Sequence, residues 1–480
     1  MKKTLIFLGI LLVVLIPTFF GMLKPGIYST QDFHFFRLFE FDKCVKDFQI
    51  PCRWAPDAGL GYGEPLFNFY TQLPYAVSEL FHLTGFSLID SLKIAFILSL
   101  VLSGVSMYFL ASHLWKSRFA GLISAVLYVY APYRAVDVWV RGALPEALSF
   151  VIFPLIILAL EKEKYLLFSL SLAVLVLTHN LSMLLFAPFL LAWIVFRRRS
   201  LAKVGAAAAG ALLLSAFYIL PVVFESKYID LATTTTGYFD FRAHFATLFQ
   251  LLVSRFWGYG GSTWGSEDGL SISIGQLQWT IPVLISIFLV VKKKIKENTQ
   301  FLFIFALGWF YLFMTHNKST FIWEALPFMK YIQFPWRFLA PALFSFSLAT
   351  GVVVNLFVKN EVRIVITTVL IILTVGVNIA FFKEDIWYNF KDSDLTTGAE
   401  WDRQRTASIG DFWPLFGHKI PDKPATGEFI NYFPGWNHSL DENGLIPAKG
   451  AVFSDTLPRR VGNIISLVSL CVIIFLLFYL

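Results

Sequence analysis

Long apolar runs alternate with short polar breaks along the whole chain. Residues 4–22, 89–113, 119–133, 146–160, 203–223, 276–291, 300–315, 337–357, 364–382 and 462–480 each predict a membrane-crossing helix. Residues 165–196 form a further apolar stretch, broken at Thr178-His179-Asn180. It predicts two crossings of about 16 residues each, just under the usual minimum, so this turn should sit at or below the outer surface of the bilayer. Together these give an all-α polytopic membrane protein with about 12 transmembrane helices.

The basic residues orient the helices. Lys2-Lys3, Lys116/Arg118, Lys162/Lys164, Arg197-Arg198-Arg199, Lys292-Lys293-Lys294 and Lys359/Arg363 all fall between alternate crossings, as expected for cytoplasmic loops. Both termini are then cytoplasmic, and the first apolar run reads as an uncleaved anchor because no small-residue cleavage site follows it. Arg459-Arg460 is the exception, beside a long external segment where the charge rule is weak.

The polar sequence gathers on the outer side. A transmembrane domain, 1–382, carries outer loops 24–88, 134–146, 224–275 and 316–336. A polar external segment follows over 383–461, rich in turn signals that predict a small β-containing piece, and 462–480 is the final transmembrane helix.

Composition agrees. Of 480 residues 57% are hydrophobic and only 15% charged, against about a quarter charged in soluble domains. The net charge of +7 lies in the short loops and does not indicate a nucleic-acid partner. Cys44 and Cys52 share the first outer loop, either paired or as free thiols, and Cys471 lies in the last helix.

The densest chemistry follows the first helix, in Gln31-Asp32-Phe33-His34-Phe35-Phe36-Arg37. An ionisable group at a membrane mouth is expensive and is a functional candidate. Glu64, in Gly59-Leu60-Gly61-Tyr62-Gly63-Glu64, adds a second carboxylate, and Asp32, His34 and Glu64 form a candidate set for Mg²⁺ or Mn²⁺. Arg134, Asp137 and Arg141 have one-face helical spacing. They read either as an intrahelical salt bridge or as an arginine pair for a phosphate. His179 either hydrogen-bonds a neighbouring helix or faces a wet cavity, the reading that Asn180 favours, and Arg337 opens a late helix behind Pro335-Trp336. Tyr62, Trp257 and Trp264 are candidate platforms for a sugar face or interface anchors.

Several motifs recur in one order: Asp-x-His after the first helix, Gly-Tyr-Gly-x-Pro-Leu-Phe, Tyr-Arg, Thr-His-Asn, and Gln-Phe-Pro-Trp-Arg. This combination resembles membrane proteins labelled as related to 6-pyruvoyl-tetrahydropterin synthase. That group is similar to the GT-C superfamily of polyprenyl-phosphate-sugar-dependent glycosyltransferases. The resemblance implies an inverting glycosyltransferase of the cytoplasmic membrane, acting on its outer face toward a cell-envelope acceptor. Asp32 would be the general base, with His34 orienting it or joining a metal site. One or more of Arg37, Arg134, Arg141 and Arg337 would stabilise the departing phosphate, with His179 beside them. The implied partners are a polyprenyl-phosphate sugar donor, a glycan, lipid or protein acceptor, and membrane lipids. A lipid or glycan transporter and a non-catalytic scaffold of a glycosylation complex are the alternative readings.

Overall fold

The computed structural model describes residues 2–29, 32–263, 268–406, 411–416, 420 and 422–479, with the side chains of residues 32, 33 and 477–479 outside that description. The principal helices are α1 (Lys2–Phe19), α2 (Asp32–Lys46), α3 (Leu73–His82), α4 (Leu88–Leu114), α5 (Arg118–Val129), α6 (Leu144–Glu161), α7 (Tyr165–Thr178) and α8 (Asn180–Phe196). They continue with α9 (Leu201–Leu214), α10 (Ala216–Glu225), α11 (Gln276–Val291), α12 (Thr299–Met314), α13 (Leu339–Thr350), α14 (Asn360–Asn378), α15 (Gly398–Arg405) and α16 (Leu457–Tyr479).

Among the described residues, 6 helices are long and apolar enough to cross a membrane, or up to 9 if each bent pair is one span. The bends are 53° after Val129, 73° after Leu214 and 91° after Met314. The three remaining apolar stretches form helices of 14, 17 and 16 residues: α7, α8 and α11. A helix is thus present at every stretch the hydrophobic pattern marks, though not every one reaches full spanning length.

The tight turns on the basic side end their helices through left-handed residues that are not glycine: Lys116, Glu163, Arg198 and Lys293. Arg197 and Arg199 converge there on Glu161, so part of the basic loop pattern doubles as a lock between α6 and α8. The α4–α5 pair is close-packed through Gly121, where a Cβ would meet Ser112 Oγ at 2.0 Å. One hydrophobic core joins α5–α8 with α12 and α13 and includes the stacked Phe153–Phe186 pair, 4.4 Å apart. A second joins α1–α4.

Residues 383–461, expected to be external, fold onto the loop 24–88. Strand β1 (Ile27–Tyr28) pairs antiparallel with β2 (Trp387–Tyr388), and β3 (Phe429–Asn431) pairs with β4 (Leu445–Pro447). Asn431 N–H donates to Tyr62 O at 2.8 Å, its Nδ2 donates to Gly63 O at 2.8 Å, and Trp54 packs edge-on against Trp436. Gly63 has φ +81°, and a Cβ there would meet the Trp54 ring at 2.5 Å, so the close approach this glycine permits is to an indole. Cys44 and Cys52 form a disulfide in the same loop. Arg459 is fully buried on Glu225 at 2.9 Å, which explains why it breaks the loop-charge rule: it is a structural ion pair.

Ser393 and Ser454 are exposed on the external segment. In a Cys471→Ser background, cysteines at either position should react with a membrane-impermeant maleimide on spheroplasts. Labelling only after lysis would invert the topology.

Candidate functional site

Two short elements aim the arginines of the second outer stretch. Residues Pro132–Ala135 form one helical turn, and Val136–Val140 continue as a π-helical turn, a device common at functional sites. Asp137, fully buried, receives Arg134 Nη1 on Oδ2 at 3.2 Å and Arg141 Nη1 on Oδ1 at 3.1 Å. Arg134 spends its remaining contacts on Ser99 O and Ala147 O and lies 4.0 Å over the Phe150 ring. It is fully buried and is not among the residues lining the cavity that Arg141 reaches. Arg141 turns the other way, bonds Glu146 Oε2 at 2.8 Å and lies 4.5 Å over Trp336.

Trp336 is stacked on Phe334 at 4.9 Å, and the Arg337 guanidinium lies 5.0 Å over Phe334. A left-handed Gln333, with φ +65°, followed by Phe334 and Pro335 sets this chain direction. Arg337 Nη1 donates to Ile332 O at 2.8 Å and Gln333 Oε1 at 3.1 Å. Among the described residues it has no ion-pair partner.

These side chains open on a cavity of about 320 Å³ lined by His34, Arg37, Tyr70, Arg141, Glu146, His179, Arg337 and Asp411. Five of the predicted site residues, His34, Arg37, Arg141, His179 and Arg337, therefore meet in one place. Arg37 Nη1 donates to Tyr70 Oη at 3.0 Å. Burial opposes its charge, but Tyr70, Tyr75 and Asp411 outweigh that and raise its pKa, so it is a fixed cation. His34 is buried, with Nδ1 2.9 Å from Tyr75 Oη and Nε2 accepting from Leu144 N–H at 3.3 Å. That acceptor role puts the ring proton on Nδ1. Burial, then the Arg37 charge, pushes its pKa down to about 3, so at neutral pH the ring is uncharged and held by two protein contacts. His179 occupies the break between α7 and α8, where Nδ1 meets Ser182 Oγ at 2.6 Å and Ser182 continues to Ser149 Oγ at 2.9 Å.

Glu64 lies behind this cavity. It is fully buried, and neither carboxyl oxygen has a hydrogen-bond partner. Burial first, and then the Asp411 charge, raise its pKa to about 8 against the opposing pull of Arg37. Among the described residues no group of three His, Cys, Asp or Glu is arranged to hold a metal ion. The described members of the candidate set do not fit one: both nitrogens of His34 are engaged, and Glu64 is sealed from solvent. The Asp32 side chain lies outside the described residues, as does Trp264, while the Asp32 backbone opens α2. Tyr62 and Trp257 are away from the cavity. Tyr62 O holds Asn431, and Trp257 stacks on Phe381 at 5.0 Å.

Asp411 was not foreseen. It sits in a polar stretch 374 positions from Arg37 with no motif around it, and only the fold of the external segment brings it in. Glu146 and Tyr70 carried weak signals, as a helix-opening carboxylate and as one of an aromatic run.

No family model matches the chain, and no curated protein matches it. Among solved structures, the single-particle cryo-EM structure of the arabinofuranosyltransferase AftD from mycobacteria is similar at 12% sequence identity with a TM-score of 0.45. The match covers 81% of this chain and 27% of that one, so this chain spans about a quarter of that protein's length. A likeness so distant does not extend AftD's activity to this chain.

The state of Glu64 makes stability depend on pH. Its ordinary pKa of 4.5 applies to the unfolded chain, whereas the folded carboxyl keeps its proton to about pH 8. Between those values the folded state binds more protons, so stability falls as pH rises across the window. Glu64→Gln removes this term. Its thermal midpoint in detergent should gain on wild type steadily from pH 5 to pH 8.5, and parallel curves would contradict a buried neutral carboxyl.

Proposed function

We propose that the protein is a GT-C-type inverting glycosyltransferase that moves a sugar from a polyprenyl-phosphate donor to a cell-envelope acceptor on the outer face of the membrane. The observation that carries this reading is a cationic cavity sharing a wall with an apolar groove. The groove encloses about 620 Å³ among Leu73, Ala76, Leu170, Leu177, Leu214, Phe217, Leu467 and Leu470, on α3, α7, α9, α10 and α16. Tyr70 and His179 line the cavity, while Gln72, Leu73 and Leu177 line the groove. Thr71 Oγ1 donates to Thr178 O at 2.8 Å between them, and Tyr218 Oη donates to Phe69 O at 2.7 Å. A molecule with a phosphate at one end and a long hydrocarbon at the other matches that pairing.

In this reading the acceptor hydroxyl oxygen attacks the anomeric carbon from the face opposite the phosphate. Asp32 takes the hydroxyl proton, the carbon–oxygen bond to phosphate breaks, and polyprenyl phosphate departs. Negative charge grows on the phosphate as that bond breaks, so cations held beforehand stabilise the transition state more than the ground state. Arg337 suits this role first, because no described carboxylate forms a direct ion pair with it, and Arg37 and Arg141 line the same cavity. Neutral His34 positions the amino-terminal turn of α2 through Tyr75 and Leu144. His179 can bond the phosphate or sugar through its free edge. Arg134 acts indirectly, by sharing Asp137 with Arg141. A divalent cation is assigned no step.

Turnover on a panel of polyprenyl-phosphate sugars in nanodiscs tests the assignment. Arg337→Ala should lose about two orders of magnitude at saturating donor. Arg337→Lys should retain part of the rate, because it keeps the charge and loses the paired donors. Near-equal rates for all three forms would remove Arg337 from the phosphate site. Asp32→Asn should abolish transfer with expression unchanged, and undiminished turnover would exclude it as base. Movement of labelled lipid with no sugar transfer would make the protein a transporter.

A further inference from the structure

A second pocket, of about 410 Å³, lies where the external segment crosses the first outer loop. Ser29, Tyr388, Phe390, Leu395, Glu400 and Arg403 line it. Tyr388 and Phe390 form a parallel stack, with ring centroids 5.0 Å apart and 5° between planes. Glu400 and Arg403 face each other across one helical turn, with Arg403 Nε and Nη2 donating to Glu400 Oε2 at 3.0 and 2.8 Å. Both are substantially exposed, so their charges are in contact with solvent.

The walls of this pocket are anchored. Tyr388 is registered against Ile27 in the β1–β2 pair. Asp392 accepts from Leu88 N–H and Ile89 N–H at 2.8 and 3.1 Å at the start of α4. Trp401 packs on Phe36 and Phe39 of α2 at 5.9 and 5.2 Å. A pocket held this firmly keeps its shape without a ligand, which lowers the ordering cost of binding one.

Its position is the informative fact. Ser29 lines this pocket and His34 lines the cationic cavity, and position 32, at the start of α2, lies between them along the chain. The geometry points to this pocket as the binding site for a glycan acceptor, an inference that rests on the transferase reading above. A saccharide offers a face of C–H bonds and a rim of hydroxyls. The first suits the negative face of an aromatic ring, and the second suits charged donors and acceptors. A stacked aromatic pair beside a carboxylate and a guanidinium provides both, in a pocket of the size small ligands occupy. A glycan held here would present a hydroxyl toward the amino-terminal turn of α2, with the donor on the other side.

Full-length protein in nanodiscs without donor, probed by saturation-transfer NMR, tests the site. The probes are trisaccharides of glucose, mannose, galactose, arabinose and N-acetylglucosamine. At least one should bind, and its affinity should fall at least tenfold in Tyr388→Ala, in Arg403→Gln or in both. Both side chains are exposed, and the thermal midpoint of each variant in detergent should match that of the wild type. Binding of no probe by the wild type, or affinity unchanged in both variants, overturns the site. No donor is present, so this result is separate from the Arg337 assay. Turnover without probe binding removes the acceptor site alone, and probe binding without turnover removes the transferase reading and with it the acceptor role, leaving a glycan-binding pocket.

Discussion

Two carboxylates, Asp137 and Glu146, lie buried at the head of the membrane domain, and neutralising them dictates the arrangement around them. An uncompensated charge in such surroundings is strongly destabilising. Asp137 therefore takes one nitrogen from each of Arg134 and Arg141, and Glu146 takes Arg141 and the Tyr133 hydroxyl. That assignment aims the Arg141 guanidinium at Trp336, Trp336 stacks on Phe334, and Phe334 carries Arg337. The cavity's positive character follows from this chain: two arginines are consumed by carboxylates, while among the described residues Arg337 donates to a carbonyl and an amide and forms no direct ion pair.

The hydrophobic pattern made the membrane helices legible because each run needs only local information: length, apolarity and flanking charge. The same reasoning singles out His34, Arg37, Arg141, His179 and Arg337, which line one cavity, since ionisable groups at helix mouths stand out against 57% hydrophobic sequence. It held two readings open where the answer depended on helix geometry within a few residues, and the salt bridge it named is present on Asp137. Arg134 and Arg141 share a face on an ideal helix, yet the π turn over Val136–Val140 sends one inward and one to the cavity. It failed for aromatic residues, because Trp257 and Tyr62 look the same in sequence whether they meet a ligand, a headgroup or a neighbouring chain segment. Asp411 shows the third limit. Its importance is entirely long-range, and nothing nearby distinguishes it from other acidic residues of the tail.

The face that carries the cavity is built from two remote pieces of chain, residues 24–88 and 383–461. The first outer loop supplies α2, α3 and the glycine turn at 59–63; the external segment supplies β2–β4, α15 and Asp411. Their shared core of Trp54, Phe69, Ile229 and Phe433 is small. Polar bonds carry much of the attachment: Asn431 on Tyr62 and Gly63, Asp392 on the start of α4, and Glu225 receiving Asn68 and Arg459.

These attachments also set a schedule. Lys24 pairs with Glu384, Leu88 N–H is capped by Asp392, and Arg53 Nη2 bonds Asn463 Oδ1 at 3.0 Å. In each case the partner is made hundreds of residues later. A chain growing from its amino terminus inserts α1 and α4 while the groups that complete their outer ends do not yet exist. Assembly of this face must therefore wait until 383–461 has been translated. Ribosome stalling or premature termination after α14 would leave a membrane-inserted product without Asp411 and without the wall formed by Tyr388 and Arg403.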